Sequence, residues 1–376
     1  MTCNYDRVNA LVLGAGLSGE AAALLLLARG GRATVVDGGP EEKLSASATR
    51  VRMAGGTVSF GVKELPPDAF DVCVVSPAFA MSHPWVEACR ARRIPMISEL
   101  ELGFCYWPSK VLAVTGSKGK SSLVKFCADT LERSGVPASP AGNYGIPLCR
   151  LALERPGLAW AVTEVSSFQM EHTHTFRPDI AVLLNVQADH FDRHADMAEY
   201  KALKLKLFAN MDAAGRALLP AGLDDEGRLP AGVPCERFGS NAGCEWRYVR
   251  HAVEGLSEGR RVTVRLAATW FDNDVLGLAA AAGSAALLHA GLSAAQIEKG
   301  FAAFEPLLHR VQTVGVSASG VTYVDDSKAT SLAATAAALR MVRRPVRLIA
   351  GGLLKENDLE SDRKSTRLNS SHGYIS

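Results

Sequence analysis

At 376 residues the chain is long enough for roughly two or three domains rather than one. Its 48% hydrophobic and 21% charged residues are those of an ordinary soluble globular protein. A net charge of +2 argues against a dedicated nucleic-acid binder, which would be far more basic.

Eight cysteines, at 3, 73, 89, 105, 127, 149, 235 and 244, form no C-x-x-C pair and keep no regular spacing. Reduced cytosolic thiols are expected, not a disulfide framework or a zinc site. The apolar run 21-AAALLLLA-28 is bounded by Glu20 and Arg29. It is too short to span a bilayer and follows a strand, so it reads as a buried helix, and no membrane insertion is expected.

In chain order, 8–13 reads as a buried strand, followed by a glycine turn, that helix, and a second strand at 33–37: a βαβ unit. Further strands are expected at 71–75 and 94–97, with a helix between them. Pro108 and Ser109 punctuate the chain, and a boundary is placed near 107. The pattern then restarts with a strand at 110–115, a glycine loop and a helix over about 119–134. Strands follow at 159–163 and 180–184, and a lysine-rich helix over about 196–210. Residues 212–265 look less regular, with a β-rich piece at 261–266. Helices are expected at about 273–290 and 293–304, and a second boundary near 305–309. A strand at 321–325, a helix at 331–342 and a strand at 346–350 complete the pattern. Alternation of this kind predicts stacked α/β domains with mainly parallel sheets.

Two glycine loops carry the chemistry. The first, 14-GAGLSG-19, lies between a strand and a helix, and Asp37 ends the next strand eighteen residues beyond Gly19. That is the setting of a dinucleotide fingerprint, whose geometry suits any diphosphate; a purely structural tight turn is the alternative. Taken alone it points to an NAD-dependent oxidoreductase. The second, 115-TGSKGKSS-122, also follows a strand and opens a helix, but Val114 stands where the usual phosphate loop has its first glycine. Gly116 and Gly119 are left to shape a tighter loop. Lys120 and Ser121 hold the positions that neutralise terminal phosphates and ligate Mg²⁺. A basic surface turn is the plain alternative. A dehydrogenase has no use for such a site, so two phosphorylated ligands in two domains are expected.

Further segments fall in a fixed order: 142-GNYGIP-147, 164-EVSSFQME-171, 185-NVQADHFDRH-194, 200-YKALKLKLF-208, 309-HR-310 and 325-DDSKAT-330. With the second loop they make the chain resemble the Mur ligases over about residues 8–358, and SSFQ and DSKAT point to the D-glutamate-adding branch. The resemblance implies a three-domain α/β architecture. A Rossmann-like domain (1–107) would hold the UDP substrate, a central ATPase domain (108–305) the ATP, and a Rossmann-like C-terminal domain (306–361) would close over ATP and the amino acid. It implies ATP-driven amide synthesis in the bacterial cytoplasm, joining D-glutamate to UDP-N-acetylmuramoyl-L-alanine through an acyl phosphate, by a monomer with no nucleic-acid partner.

The resemblance also distributes roles. Leu17, Ser18 and Gly19 match the diphosphate-contacting turn, Asp37 the uridine end, and Ser76 a neighbouring segment in which Ala78 replaces a glycine. Gly116, Ser117, Lys118, Gly119, Lys120, Ser121 and Ser122 form the ATP loop, with Lys118 where asparagine is common. Ser121 and Glu164 would hold one Mg²⁺. His190 stands near a second, which a carbamylated Lys204 would support. Without the resemblance, Lys201, Lys204 and Lys206 read as a solvated helix face, Glu164 as a strand-end carboxylate and His190 as an ordinary loop histidine. Asn143 and Ser166 match substrate contacts near the reacting carboxylate. Asn273 matches an adenine neighbour, although Asp272 and Leu276 depart from the family's histidine and second asparagine; a helix cap is the alternative. Arg310 and Asp326 match ATP-facing residues, and Lys328, Thr330 and Lys355 the D-glutamate pocket.

After Leu359 the apolar periodicity stops. The tail 362-DRKSTRLNSSHGYIS-376 reads either as a disordered polar terminus or as the translation of a sequencing adapter, with the natural sequence leaving off near Ser361. On the second reading the C-terminal domain is cut. The chain as it stands would then be poorly stable and inactive, a nucleotide-sugar-binding remnant of an active ligase.

Overall fold

The computed structural model describes residues 4–351 apart from 189–192, 258, 330–331 and 343–344. His190, Thr330, Lys355 and the 362–376 tail lie outside the described residues.

A five-stranded, wholly parallel sheet forms first: β1 (Asn9–Leu13), β2 (Arg32–Val36), β3 (Thr57–Ser59), β4 (Val72–Val75) and β5 (Met96–Ser98). Its spatial order is β3-β2-β1-β4-β5, so the winding reverses between β1 and β4. Helices α1 (Leu17–Ala28), α2 (Ser45–Met53), α3 (Pro84–Ala91) and α4 (Glu99–Tyr106) complete this layer. Helix α1 is apolar almost all round because it packs on the sheet, on α2 and α4, and on α6 (Leu148–Glu154) of the next layer.

The second sheet has nine strands: β6 (Lys110–Thr115), β7 (Ala138–Gly142), β8 (Trp160–Glu164), β9 (Ile180–Leu183), β10 (Arg216–Pro220), β11 (Cys235–Gly239), β12 (Trp246–Val249), β13 (Ala252–Ser257) and β14 (Arg260–Arg265). Their order is β14-β13-β12-β11-β10-β9-β6-β8-β7, parallel from β7 to β12 and antiparallel beyond. One face is covered by α5 (Lys120–Arg133), α9 (Gly277–His289) and α10 (Ala294–Ala302), with Phe126, Phe271 and Phe301 at the contact. The other carries α6, α7 (Ser167–Glu171) and α8 (Met197–Leu205). Region 212–265, expected to be less regular, supplies five of these strands. They are short and carry charged residues at half-buried positions, which hides them from an apolar count.

Last come an antiparallel pair, β15 (Gln312–Val316) and β16 (Thr322–Asp325), and α11 (Leu332–Met341). The expected strand at 346–350 does not form. Ile349 is 97% exposed there, and an extended segment becomes a strand only beside a partner. Among the described residues six cysteines are free and Cys105 is disulfide-bonded, so the expectation of reduced thiols fails at that position. Among the described residues no helix is long and apolar enough to cross a membrane.

Candidate functional site: two glycine loops at the strand ends of two sheets

Both loops sit where strands of a parallel sheet hand over to helices, the usual ligand edge of such sheets. The first connects β1 to α1. Gly19 is needed for close approach: a Cβ there would stand 1.8 Å from the Gly14 carbonyl oxygen. Asp37, just after β2, clamps the turn by accepting from the Ala15 N–H (2.9 Å) and the Gly39 N–H (2.8 Å). Ser76, just after β4, donates its hydroxyl to the Leu13 carbonyl (2.5 Å). Leu17 is exposed and Ser18 half-buried at the start of α1, so Leu17, Ser18, Gly19, Asp37 and Ser76 gather at one strand edge.

The second loop leaves β6 and turns into α5 at Gly119, whose φ of +85° makes it a left-handed helix cap. Asn185, from the loop after β9, holds the turn from outside. Its side-chain oxygen accepts from the Ser117 N–H (3.0 Å) and the Lys118 N–H (2.9 Å), and its amide donates to the Lys118 carbonyl (3.0 Å). Ser117 exchanges a further pair of hydrogen bonds with Gln187. Ser121 and Ser122 lie in the first turn of α5, the positive end of the helix dipole.

Two ammonium groups converge on one carbonyl in this loop. Lys120 Nζ donates to Gly116 O (2.8 Å) and Ser117 O (3.1 Å), and Lys204 Nζ donates to the same Gly116 O (2.9 Å). Paired cations beside a helix N-terminus make a site that attracts anions. Lys204 is 1% exposed and lies over the Tyr200 ring at 4.2 Å. The solvated-face reading of the three lysines therefore fails at Lys204; Lys201 pairs with Glu226, and Lys206 donates to the Met170 carbonyl.

Glu164 ends β8, in register with Val114 of β6 and Gly142 of β7. It is buried. Its Oε1 accepts from Asn143 Nδ2 (2.7 Å), while Asn143 N–H donates to the Glu164 carbonyl (3.0 Å). Its Oε2 is buried with no hydrogen-bond partner among the described residues. A buried carboxylate oxygen left so is costly unless a cation or donor reaches it, which fits a divalent metal ligand. No cluster of three His, Cys, Asp or Glu side chains stands together among the described residues. A cation here would therefore rely on Glu164, hydroxyls and the ligand's own phosphates, the pattern magnesium favours.

Other expected residues are placed less directly. Ser166 caps α7 in a reciprocal box with Gln169. Both ends of the Asn273 amide serve local backbone, accepting from Val275 N–H and Leu276 N–H and donating to the Trp270 carbonyl, as a turn-and-cap residue does. The bonds described for Arg310, Asp326 and Lys328 are local to their own hairpin: the Asp326 carboxylate accepts from Val311 N–H (3.0 Å) and Lys328 N–H donates to the His309 carbonyl (3.1 Å). Burial pushes the Asp326 carboxyl above its ordinary range. The His309 hydrogen bond and two from Ser327 hold neighbouring Asp325 down at about 2.

Sequence reasoning missed several polar residues that hold this arrangement. Glu20, buried in α1, pairs with Arg50 of α2 and Arg150 of α6, which ties the two sheets together. Burial pushes its carboxyl up, but hydrogen bonds from Arg50 and Ser47 outweigh it and keep it below the usual range. Glu101 of α4 accepts from the backbone N–H groups of His174, Thr175 and Phe176. Glu20 and Glu101 each interrupt an apolar helix, which is the one signal the sequence offered.

The fold defines an α/β protein with a glycine loop of phosphate-binding type on each of its two large sheets. Comparison with known proteins narrows this. The Mur ligase middle domain matches residues 114–263. A UDP-N-acetylmuramoylalanine–D-glutamate ligase of Nitratidesulfovibrio vulgaris is 34% identical, aligned over 96% of this chain and 80% of its own length. Its counterpart in Koribacter versatilis is 32% identical over 95% and 81%. In fold, a murein peptide ligase from Psychrobacter arcticus matches with a TM-score of 0.56 at 18% identity, over 96% of this chain and 83% of that one. The chain belongs to the Mur ligase family, in its D-glutamate ligase branch. The oxidoreductase reading of the first loop falls with this, because that turn is shared by any diphosphate-binding fold of the type.

Proposed function

We propose that the protein adds D-glutamate to UDP-N-acetylmuramoyl-L-alanine at the expense of ATP, in the cytoplasmic synthesis of peptidoglycan precursors, and that it acts as a monomer. The observation that carries this reading is the convergence of Lys120 and Lys204 on one glycine loop, with the buried Glu164, held by Asn143, on the neighbouring strand, in a chain 34% identical to ligases of that name.

A carboxylate cannot expel oxide when an amine attacks it. One substrate carboxylate oxygen therefore attacks the γ-phosphorus first, releasing ADP and forming an acyl phosphate. The D-glutamate amine adds to that carbonyl, a proton is lost, and inorganic phosphate leaves as the amide forms. The first step brings two anions together, so most of the catalysis is positioning and charge cancellation. Lys120 neutralises the terminal phosphates. Residues 116–122 cradle them, with Gly116, Ser117, Lys118, Gly119 and Ser122 shaping the turn. Asn143 keeps the Glu164 side chain aimed, and Ser166 orients the substrate carboxylate. Glu164 Oε2 and Ser121 Oγ would hold one Mg²⁺, which when bound lends positive charge to the phosphate oxygens. A carbamate on Lys204, with His190 nearby, would support a second.

Residues 1–107 are read as the UDP domain, with Leu17, Ser18 and Gly19 at the diphosphate, Asp37 at the uridine and Ser76 beside them. Residues 108–305 form the ATPase domain, where Asn273 neighbours adenine. Residues 306–361 bring Arg310 and Asp326 to ATP and Lys328, Thr330 and Lys355 to D-glutamate. Phosphate release with both substrates present tests the reaction. For Lys204, restored turnover of K204A by short carboxylic acids supports the carbamate, and absence of rescue counts against it.

A further inference from the structure

Arg193 lies between β9 and α8 of the second layer yet reaches into the first. Its Nη1 donates to the Pro77 carbonyl and its Nη2 to the Phe79 carbonyl (2.7 Å). The same guanidinium pairs with Glu171 (Nη2 to Oε2 2.8 Å, Nε to Oε1 3.2 Å) and lies 4.0 Å from the centre of the Phe168 ring. Phe168 and Glu171 are three residues apart on α7, so one helix face presents ring and carboxylate together. Side-chain exposure is 10% for Arg193 and 6% for Glu171, so this is a largely buried fork with four hydrogen bonds to protein oxygens.

What the fork joins gives it meaning. On one side, segment 76–79 lies against the first glycine loop: a Cβ on Gly14 would stand 3.1 Å from the Phe79 ring and from Ser76 Oγ. On the other side, Ser166 caps α7 two residues after Glu164 ends β8, where Asn143 pairs with it. We infer that Arg193 is a positioning residue that couples the two phosphate sites, so that occupancy of the first loop is felt at the second. This rests on the function proposed above.

The coupling is separable from docking of the two sheets, because other contacts hold them. Glu20 pairs with Arg150 (2.9 Å), Ser98 N–H donates to the His172 carbonyl (2.7 Å), and the hydroxyls of Ser98 and Thr173 are 3.0 Å apart. Lysine at 193 keeps the charge and the pairing with Glu171 but cannot reach both carbonyls at once.

The test is calorimetric, on the full-length protein, measuring ADP affinity with and without saturating UDP-N-acetylmuramoyl-L-alanine. Wild type is expected to show at least about a fivefold change in ADP affinity. In R193K each ligand alone should bind within about twofold of wild type while that factor falls toward one. An unchanged factor in R193K, or no coupling in wild type, overturns the inference. If R193K does not fold, E171Q, which loosens the fork's other anchor, must lower the factor at least about twofold, and no change there overturns it equally. Failure of wild type to bind either ligand would instead refute the proposed function.

Discussion

Glu164 and Asn143 set the character of the site at the scale of single residues. One carboxylate oxygen is satisfied by an amide 2.7 Å away and the other is buried without a partner among the described residues. E164Q keeps the shape but removes the anion, so turnover should fall by about 10²-fold or more and no longer respond to added Mg²⁺. Steady-state rates across a magnesium titration check this; a variant as active and as magnesium-dependent as wild type would refute the role. K120A should cost about 10²–10³-fold in turnover, since its ammonium is held at the loop by the Gly116 and Ser117 carbonyls. A different carboxylate governs stability. Glu99 is buried at the start of α4 and accepts from Cys149 N–H of α6 (2.6 Å); burial nevertheless pushes its carboxyl up to about 7. Its folded pKa lies above the unfolded value, so the native state binds the extra proton between about 4.5 and 7. Stability from this group is therefore lost as pH rises through that window, by up to about 1.4 kcal/mol per pH unit. His172, held neutral by burial down to about 4, pulls the wild-type curve the other way. The difference between E99Q and wild type isolates Glu99. That difference should grow in favour of E99Q from pH 5 to pH 7.5 in thermal melts.

At the scale of elements, the strand–loop–helix units were legible because their apolar cores and glycine turns follow simple periods. Strand β6 and helix α5 lie within a residue or so of their expected limits. Strand β7 (ASPAG) was not legible, since Pro140 argues against a strand; it is tolerated because β7 is the sheet's edge. Gly142, which ends β7, has φ +82°, and a Cβ there would lie 2.4 Å from the Glu164 carbonyl oxygen. G142A should therefore destabilise the protein by about 2 kcal/mol and push Asn143 off Glu164. Denaturant unfolding and turnover should drop together. Loss of stability without loss of turnover would show that the Asn143–Glu164 contact does not matter to the reaction.

Across the whole molecule, the sequence disclosed two glycine loops and their order along the chain, because each is a local motif. It did not disclose what holds them relative to each other. Glu20 with Arg150, and Arg193 with the Pro77 and Phe79 carbonyls, join residues more than a hundred positions apart, and no spacing rule announces such pairs. The buried state of Lys204 was likewise hidden, since three closely spaced lysines look like a solvated surface until α8 is seen against Gly116. The central claim is that these sites together make a D-glutamate ligase. It is tested most directly by measuring phosphate release from ATP by the complete product of the gene, with UDP-N-acetylmuramoyl-L-alanine and each of several amino acids. Release should require all three substrates and favour D-glutamate over L-glutamate by at least about tenfold. Equal release with other amino acids, or none with D-glutamate, would contradict it.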